Sequence, residues 1–424
     1  MSKIIAKKYY SGFPLAHDTY NTLSAASDGN IYYVLSSEDV KIGGQMYKYN
    51  PKTDATEWVG DLTEMCGEKN TDGLSQGKSH VEFDEMDGKL YFSTHIGYYE
   101  MIDGMERLPV NPPEGSSLYP GGHFLSYDMT TKEVEDLGIL SDGEGVLTMI
   151  TDTDRGQIYG ISWPTGQFYH LDISSKKLLN LGKISHNGEA GIVGEDYRVL
   201  CRSILVVPQT GHVYFTNAEG DIFCYKPELE AISKLDSVHM RLDYFGKYDP
   251  LDAGSMGYNW RKIVWHPTEK VAYGMHGNSG YLFKFDPFNE TIEIVERLTS
   301  LPSKRSGMFD QFSYGYLGFE LDLESNTLYY LTGGPVIQNG ERVVGPTKIS
   351  KGGAKALENL HLVTYQLDSH TYRDHGAIVY EDDEIPTYVN SIAVGPSKEV
   401  YTLARMMVNG KEIQDLVKID PVLT

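Results

Sequence analysis

The chain is poor in cysteine, and its few cysteines follow no recognisable pattern. Three occur in 424 residues, at Cys66, Cys201 and Cys224. A disulfide framework needs an even set at regular spacing, and zinc sites usually show CxxC or mixed Cys/His spacing. Neither pattern is present, so we expect the three cysteines to be small, semi-buried residues.

Long apolar runs and basic charge are also scarce. No window approaches the 18 or more apolar residues that a membrane span needs, and residues 1–8 contain no apolar signal core. Lys and Arg number 37 against 59 Asp and Glu, a net charge of −22. Because polyanion binding requires clustered cations, we expect neither nucleic acid nor membrane as partner. We expect a soluble monomer, cytoplasmic unless a removed signal peptide made it secreted or periplasmic.

A tyrosine-centred hairpin signal recurs along the chain. With 31 Tyr and 44 Gly the composition favours β structure, since aromatic residues pack in pleated sheets and glycine occupies turns. A short apolar run precedes each repeat tyrosine, and an alternating strand ending in Asp, Asn or Pro usually follows it. Four short strands repeated seven times predict an all-β fold, a seven-bladed β-propeller. The repeat tyrosines are Tyr32, Tyr91, Tyr159, Tyr214, Tyr273, Tyr329 and Tyr401.

The last repeat predicts how the ring closes. The seventh repeat reaches Thr424 after its third strand, so we expect residues 4–9 (IIAKKY) to supply its missing outer strand. This closure would make residues 1–424 a single domain whose sheets keep only short edges. The repeat also assigns structural roles: we expect the seven tyrosines to pack, and Asp54, Asp286 and Glu290 to form turns.

Functional residues are expected where the repeat is broken. The loop between the second and third strands is longest in repeats two and six, where the tyrosine lies 37 and 39 residues before the Asp that ends the third strand. In a propeller these loops gather at one mouth of the central channel, so the insertions are candidate functional elements. Repeat two also directs three imidazoles, His80, His95 and His123, toward this mouth.

Further His, Arg and aromatic residues are predicted at the same mouth. Some lie in other repeats at or near the position equivalent to that of His95 in repeat two. Others lie at the start of an inner strand or a few residues before it. Together they supply proton transfer, anion recognition and a surface for sugar stacking. The candidates for contact with substrate are Trp163, His276, Arg405, Arg202, Arg261, Tyr197 and Tyr258.

The candidate residues favour β-elimination over other reactions. No GxSxG, HExxH, P-loop or dinucleotide-binding motif occurs in its required context. Glycoside hydrolysis needs two suitably spaced carboxylates, and Glu82, Asp84 and Asp310 lie near inner strands without forming an evident pair. Cationic groups can instead neutralise a uronate carboxylate, which acidifies the C5 proton for removal by Tyr or His. The expected partner is therefore an anionic glycan.

Five stretches of repeats two to four carry a family resemblance. They are residues 77–80 (GKSH), 91–95 (YFSTH), 121–128 (GGHFLSYD), 159–164 (YGISWP) and 202–206 (RSILV). These stretches resemble the seven-bladed propeller polysaccharide lyases of the ulvan-lyase type.

The resemblance implies a particular division of roles. Two histidines would neutralise the uronate with an arginine beside them, here His80, His95 and Arg202. A tyrosine would act as base and acid, and we expect Tyr258 or Tyr197 at the mouth to do so. Members of the family can also carry a structural metal ion, zinc or calcium, but we identify no ligand set for one and expect no certain cofactor.

Two other functions stay open on the sequence alone. A non-catalytic propeller scaffold would use the same mouth to bind glycan or protein, because a fold does not determine a function. A propeller-type glycoside hydrolase would depend on a carboxylate such as Asp310. The lyase hypothesis further predicts an electropositive mouth on an acidic body, because salt screens charges beyond about 8 Å.

Overall fold

Short runs of alternating residues bounded by Gly, Asp and Asn favour β-strands, and strands dominate the computed structural model of the chain. The structure describes residues 3–17, 21–102, 104–306, 318–335, 337–338, 341–342, 358–386, 389 and 391–422. Within these ranges the strands form five four-stranded sheets, one eight-stranded sheet and two two-stranded hairpins. The protein is all-β and is built largely from four-stranded antiparallel sheets.

The strands follow the chain from sheet to sheet. The first strand, β1 (Ile4–Lys8), belongs to the eight-stranded sheet. The first sheet contains β2 (Leu23–Ala25), β3 (Ile31–Leu35), β4 (Gln45–Asn50) and β5 (Ala55–Asp61). The second contains β6 (Asp84–Met86), β7 (Lys89–Ser93), β10 (His123–Asp128) and β11 (Val134–Ile139), with the hairpin β8 (Glu100–Ile102) and β9 (Met105–Arg107) inserted.

The next three sheets have consecutive strands. The third contains β12 (Gly145–Asp152), β13 (Gln157–Trp163), β14 (Gln167–Asp172) and β15 (Lys177–Lys183). The fourth contains β16 (Leu205–Val207), β17 (His212–Thr216), β18 (Asp221–Lys226) and β19 (Ala231–His239). The fifth contains β20 (Trp260–His266), β21 (Val271–His276), β22 (Tyr281–Asp286) and β23 (Thr291–Arg297).

The eight-stranded sheet joins the last two repeats through the N-terminal strand. Its order is β24 (Phe319–Asp322), β25 (Thr327–Pro335), β28 (Glu358–Gln366), β29 (Thr371–Tyr380), β1, β32 (Lys411–Ile419), β31 (Val400–Val408) and β30 (Ala393–Val394). A hairpin of β26 (Ile337–Gln338) and β27 (Glu341–Arg342) lies in the insertion between β25 and β28.

Strand β1 completes the last repeat as the sequence predicts. Ala6 pairs antiparallel with Ile419, and its side chain is fully buried. The same strand also pairs in parallel with β29, where Ile4 faces Ile378. This parallel pairing was not expected. It makes the otherwise antiparallel sheet mixed, and it satisfies the backbone hydrogen-bonding groups on the second edge of β1.

The repeat residues have the structural roles that the sequence predicts. The seven repeat tyrosines lie in strands β3, β7, β13, β17, β21, β25 and β31, and all are buried. Asp54 and Glu290 occupy turns with φ of 54° and 51°. The Asp286 carboxylate accepts hydrogen bonds from the backbone N–H groups of Phe288 and Asn289. Packing and turn formation therefore account for these residues.

Helices are short in the described chain. They are α1 (Leu62–Met65), α2 (Leu301–Ser306) and single 3₁₀ turns at Gly188–Ala190, Pro227–Leu229 and Asp243–Phe245. Within the described ranges, none has the length and apolar character required to cross a membrane.

The chain divides into two compact units. Unit A comprises Ser11–Phe215 and Cys224–Ser233, and unit B comprises Met1–Tyr10, Thr216–Phe223 and Lys234–Thr424. Unit A has a buried core that includes Tyr32, Phe92 and Phe124. Unit B has one that includes Leu282, Leu328 and Val363. The single-domain organisation of residues 1–424 stays a prediction.

Candidate functional site

Two histidines of unit A stack on each other. Lys78 and His95 form an antiparallel bridge, with N···O distances of 2.9 and 2.7 Å, which brings the two segments together. The His80 and His95 rings lie 4.2 Å apart with 20° between their planes. The predicted proximity of these imidazoles is confirmed. His80 lies in an irregular segment before β6, whereas the sequence placed it at the start of that strand.

The position of the His95 ring follows from its neighbours. Its Nδ1 lies 2.8 Å from the Ile96 carbonyl oxygen, which can only accept, so this nitrogen carries the proton. The ring of Trp163 lies 5.3 Å away. A Cβ on Gly145 would lie 2.7 Å from His95 Cδ2, so the close approach of the β12 backbone to the ring requires glycine.

Lys78 and Tyr99 extend the cluster, and sequence reasoning overlooked both as functional residues. The Tyr99 hydroxyl lies 3.4 Å from His95 Nδ1, and its ring meets Trp163 edge-on at 5.4 Å. Lys78 Nζ lies 4.6 Å from the centre of the Tyr99 ring and 3.9 Å from a carboxylate oxygen of Glu38. One signal was available, since Lys78 and His80 are two residues apart in an extended segment.

A buried carboxylate connects Trp163 to Arg202. Trp163 Nε1 donates to Glu189 Oε2 at 3.0 Å, and Arg202 Nη2 donates to Oε1 at 2.5 Å. Arg202 Nη1 also donates to the Leu200 carbonyl at 3.2 Å. Sequence reasoning missed Glu189, and its signal is the long glycine-containing connector between β15 and β16. Trp163 and Arg202 therefore belong to one hydrogen-bonded assembly.

We use the name histidine site for His80, His95, Tyr99, Trp163 and Arg202. His95 and Trp163 are nearly inaccessible, with 1% and 3% of their surface exposed. His80 retains 9%, the Arg202 side chain 11%, and Tyr99 is half-buried. The exposed surface of the histidine site therefore belongs mainly to His80, Tyr99 and Arg202.

His123 differs from the expectation that it faces substrate. Its Nε2 and Nδ1 each lie 2.9 Å from a carboxylate oxygen, of Glu68 and Asp136 respectively. Burial acts to lower the His123 pKa, but the hydrogen bonds and charges of the two carboxylates outweigh it and raise the pKa to about 9. Both ring nitrogens of the buried His123 are thus committed to ion pairs with these two carboxylates.

Tyr197 also differs from its predicted position at a mouth. It lies in the connector between β15 and β16, and its surface is fully buried. Contact between Tyr197 and substrate stays a prediction, and this side chain has no exposed surface in the structure.

His276 and Tyr258 lie in unit B, within a second aromatic group. The His276 ring stacks on Phe245 at 4.1 Å, and its Nδ1 lies 2.8 Å from Ser279 Oγ. Burial lowers the pKa of His276 to about 3, so this imidazole is neutral near pH 7. Tyr258 is half-buried, and its hydroxyl accepts from the backbone N–H of Tyr248 at 3.2 Å.

The two remaining arginines also belong to unit B. Arg261 is 4% exposed, and its Nη1 lies 3.3 Å from the Met256 sulfur. Arg405 lies on β31 with its Nη1 3.8 Å from a carboxylate oxygen of Glu412. Convergence of Tyr258, Arg261, His276 and Arg405 with the histidine site stays a prediction, as does the electropositive mouth.

The described residues do not fit the metal ion that the resemblance implies. Nowhere in the described ranges do three or more His, Cys, Asp or Glu side chains form a group that could hold one.

Of the carboxylates considered for glycoside hydrolysis, Asp84 accepts a hydrogen bond from the backbone N–H of Thr151 at 2.7 Å. Asp310 lies outside the described residues.

Comparison with known proteins adds no assignment. No protein-family model matches the chain, and no curated protein matches it. The geometry of the histidine site is therefore the basis on which a function is proposed below.

Proposed function

We propose that the protein is a polysaccharide lyase that cleaves a uronate-containing glycan by β-elimination. The observation that carries the proposal is the stacked pair of His80 and His95, which Tyr99 adjoins and which Trp163 and Glu189 connect to Arg202. These residue types offer donors for a carboxylate and a hydroxyl for proton transfer. The resemblance of repeats two to four to lyases of the ulvan-lyase type agrees with this chemistry.

We further propose that the sheets form a seven-bladed β-propeller. Five four-stranded sheets follow one another along the described chain. The eight-stranded sheet consists of two more sets of four, β24–β25–β28–β29 and β30–β31–β32–β1, which meet where β1 pairs with β29. Seven sets of four strands, each with its tyrosine in the second strand, support this arrangement.

The proposed reaction assigns the carboxylate to His80 and Arg202. Their N–H groups hydrogen-bond the uronate carboxylate, which stabilises the negative charge that develops there when the C5–H bond breaks. The C5–H electron pair forms the C4–C5 double bond, and the C4–O bond breaks. The deprotonated Tyr99 hydroxyl takes the C5 proton and returns it to the leaving glycosidic oxygen, and the product carries an unsaturated uronate. His95 holds the His80 ring in place by stacking.

Tyr99 is the proposed base and acid. It replaces Tyr197, which is fully buried, and Tyr258, which belongs to unit B. Its hydroxyl lies beside His95 Nδ1, and its half-buried ring is fixed between Trp163 and Lys78. A positioned acid–base group contributes roughly 10²–10⁴-fold to rate, which is the loss expected when its hydroxyl is removed.

The test is turnover of uronate glycans. The protein is incubated with ulvan, pectic polymers and glycosaminoglycans, and the ultraviolet absorbance of the unsaturated product is followed. We expect product from at least one polymer. His80→Ala and Arg202→Ala should each lower kcat/KM by about 10²–10³-fold, as removal of an oxyanion donor does, and Tyr99→Phe should lower kcat by about 10²-fold or more.

His212→Ala is the matched control, since His212 lies at the start of β17 and pairs with Glu228. It should retain full activity. Absence of unsaturated product from every polymer would refute the lyase proposal; stable glycan binding without turnover would then favour a scaffold, and uptake of labelled water a hydrolase. Full activity of His80→Ala would refute the site while leaving the reaction.

A further inference from the structure

We propose that Glu189 is a positioning residue that holds Trp163 and Arg202 in the arrangement of the histidine site. The inference rests on the proposed function, because it concerns the geometry in which that site meets its glycan. Glu189 is 1% exposed, so it acts on the ligand only through other residues.

The contacts of Glu189 divide between its two oxygens. Oε2 accepts from the Trp163 indole at 3.0 Å. Oε1 accepts from Arg202 Nη2 at 2.5 Å and from the Leu200 backbone N–H at 3.2 Å. One carboxylate thus fixes the orientation of an indole and of a guanidinium at once. The bond to Arg202 is charge-assisted, which makes it the stronger and more directional of these contacts.

The backbone around Glu189 is itself anchored to the strand that carries Trp163. Glu189 N donates to the Pro164 carbonyl at 2.8 Å, and Ala190 N lies 3.2 Å from the same oxygen. Pro164 directly follows Trp163, the last residue of β13. The Gly188–Ala190 turn therefore moves with the end of β13, and the side-chain bond to Trp163 closes a small ring of contacts.

The insertion of repeat two is tied to the same turn. Arg107, the last residue of β9, donates through Nη1 to the Glu189 carbonyl and through Nη2 to the Gly191 carbonyl at 3.0 Å. The insertion also contributes Tyr99, which packs edge-on against Trp163. The Glu189 turn is thus the point where the inserted hairpin, the indole and the guanidinium meet.

Isosteric and shortened side chains separate the two aspects of this role. Glu189→Gln keeps the length but removes the negative charge that orients Arg202. Glu189→Asp keeps the charge but is one methylene too short to reach both donors. Because misplacement of a binding group by about 1 Å can cost about 10²-fold in rate, we expect kcat to fall about 10-fold in the Gln variant and about 10²-fold in the Asp variant.

Asp152 provides a matched control. It is also buried, at 3% exposed, lies in unit A, and pairs with a guanidinium, since Arg155 Nη1 lies 3.1 Å from its Oδ2. It lies at the opposite end of the β12–β13 pair from Trp163, because Asp152 pairs with Gln157 whereas Gly145 pairs with Trp163. Asp152→Asn should therefore leave kcat and KM within about twofold of the wild type.

Two readouts separate positioning from general damage. The emission of Trp163, taken as the difference from Trp163→Phe, should shift in both Glu189 variants and not in Asp152→Asn. In a double-mutant cycle, Glu189→Gln combined with Arg202→Lys should lose little more than the worse single variant, because Glu189 acts through Arg202.

The outcomes distinguish this proposal from the proposed function. Turnover by the wild type with unchanged kcat in both Glu189 variants would overturn the role of Glu189 and leave the lyase. If the wild type turns over none of the glycans, the lyase proposal fails, and the emission of Trp163 alone tests whether Glu189 positions Trp163. Unshifted emission in the Glu189 variants would then overturn the role of Glu189. A shift that occurs only in the Glu189 variants would support this role.

Discussion

Raising the pH above neutrality should destabilise unit A, because the buried His123 is held in its charged form by two carboxylates. Its ring nitrogens lie 2.9 Å from oxygens of Glu68 and Asp136, and only 5% of its side chain is exposed. Burial opposes the charge, but the two carboxylates prevail and raise the His123 pKa from 6.5 to about 9. The folded unit therefore retains a proton that the unfolded chain releases.

The size of the effect follows from the difference between the two pKa values. Below pH 6.5 the histidine is protonated in both states, and its full contribution to the free energy of unfolding is present. Between pH 6.5 and 9 only the folded state keeps the proton, so that free energy falls by about 1.4 kcal/mol per pH unit. A difference of 9 − 6.5 = 2.5 units corresponds to about 3 kcal/mol lost as the pH rises through 9.

Urea unfolding at pH values from 6.5 to 9.5 measures this slope. The free energy of unfolding of the wild type should fall by about 3 kcal/mol across this pH range. His123→Gln should be less stable at pH 6.5, and its free energy of unfolding should lack the part of the pH dependence that His123 causes. His239→Gln, at an exposed position, should keep the wild-type slope. Parallel curves for the wild type and His123→Gln would refute the reasoning.

A second measurement covers the case in which His123→Gln does not fold, since an unpaired buried charge is strongly destabilising. The NMR titration of the His123 ring protons in the wild type should give a midpoint well above 6.5. In Asp136→Asn, which removes one of the two charges, the midpoint should fall. A midpoint at the ordinary histidine value in the wild type would contradict the proposed ion pair.

Three further predictions concern stability. Deleting residues 3–9 removes β1 from between β29 and β32, so the melting temperature of unit B should fall by several degrees, whereas Ile5→Ser, at a 64% exposed position, should have little effect. Gly97→Ala should cost about 1–3 kcal/mol in urea unfolding, because its Cβ would lie 1.9 Å from a backbone carbonyl oxygen, and Gly73→Ala, with its nearest atom at 3.4 Å, should cost much less. Burial lowers the His276 pKa to about 3, so below pH 6.5 the unfolded chain binds a proton that the folded unit B does not. Acidification should therefore lower the free energy of unfolding of unit B by about 1.4 kcal/mol per pH unit. In His276→Asn this free energy should fall less steeply with acidification.

Local patterns were sufficient for most strands and for the turns between them, although β6 begins at Asp84 and not at His80. The short apolar or alternating runs and the Asp or Asn in the following turn act over a few residues, so they can be read without the fold. The strand partner of residues 4–8 was also predictable, because the last repeat lacks one strand. The parallel pairing of β1 with β29 was not, because it depends on where a separate repeat ends in space.

The histidine site shows the same division. Histidines 80 and 95 were found by sequence because each adjoins a repeat strand, and their stacking at 4.2 Å bears this out. His123 was assigned to the same group, yet its partners Glu68 and Asp136 come from other segments and bind both ring nitrogens. A residue's position along a strand does not reveal which charges pack against it.

By itself, the sequence determined that the protein is all-β, that seven repeats each place a tyrosine in the second strand, and that the N-terminal strand completes the last repeat. Only the tertiary structure decided which side chains form the histidine site. It placed Tyr99 beside His95, buried Tyr197, and put Glu189 between Trp163 and Arg202. The physical reason is that strand periodicity is local, whereas burial, ion pairing and ring contacts depend on segments that are distant in the chain.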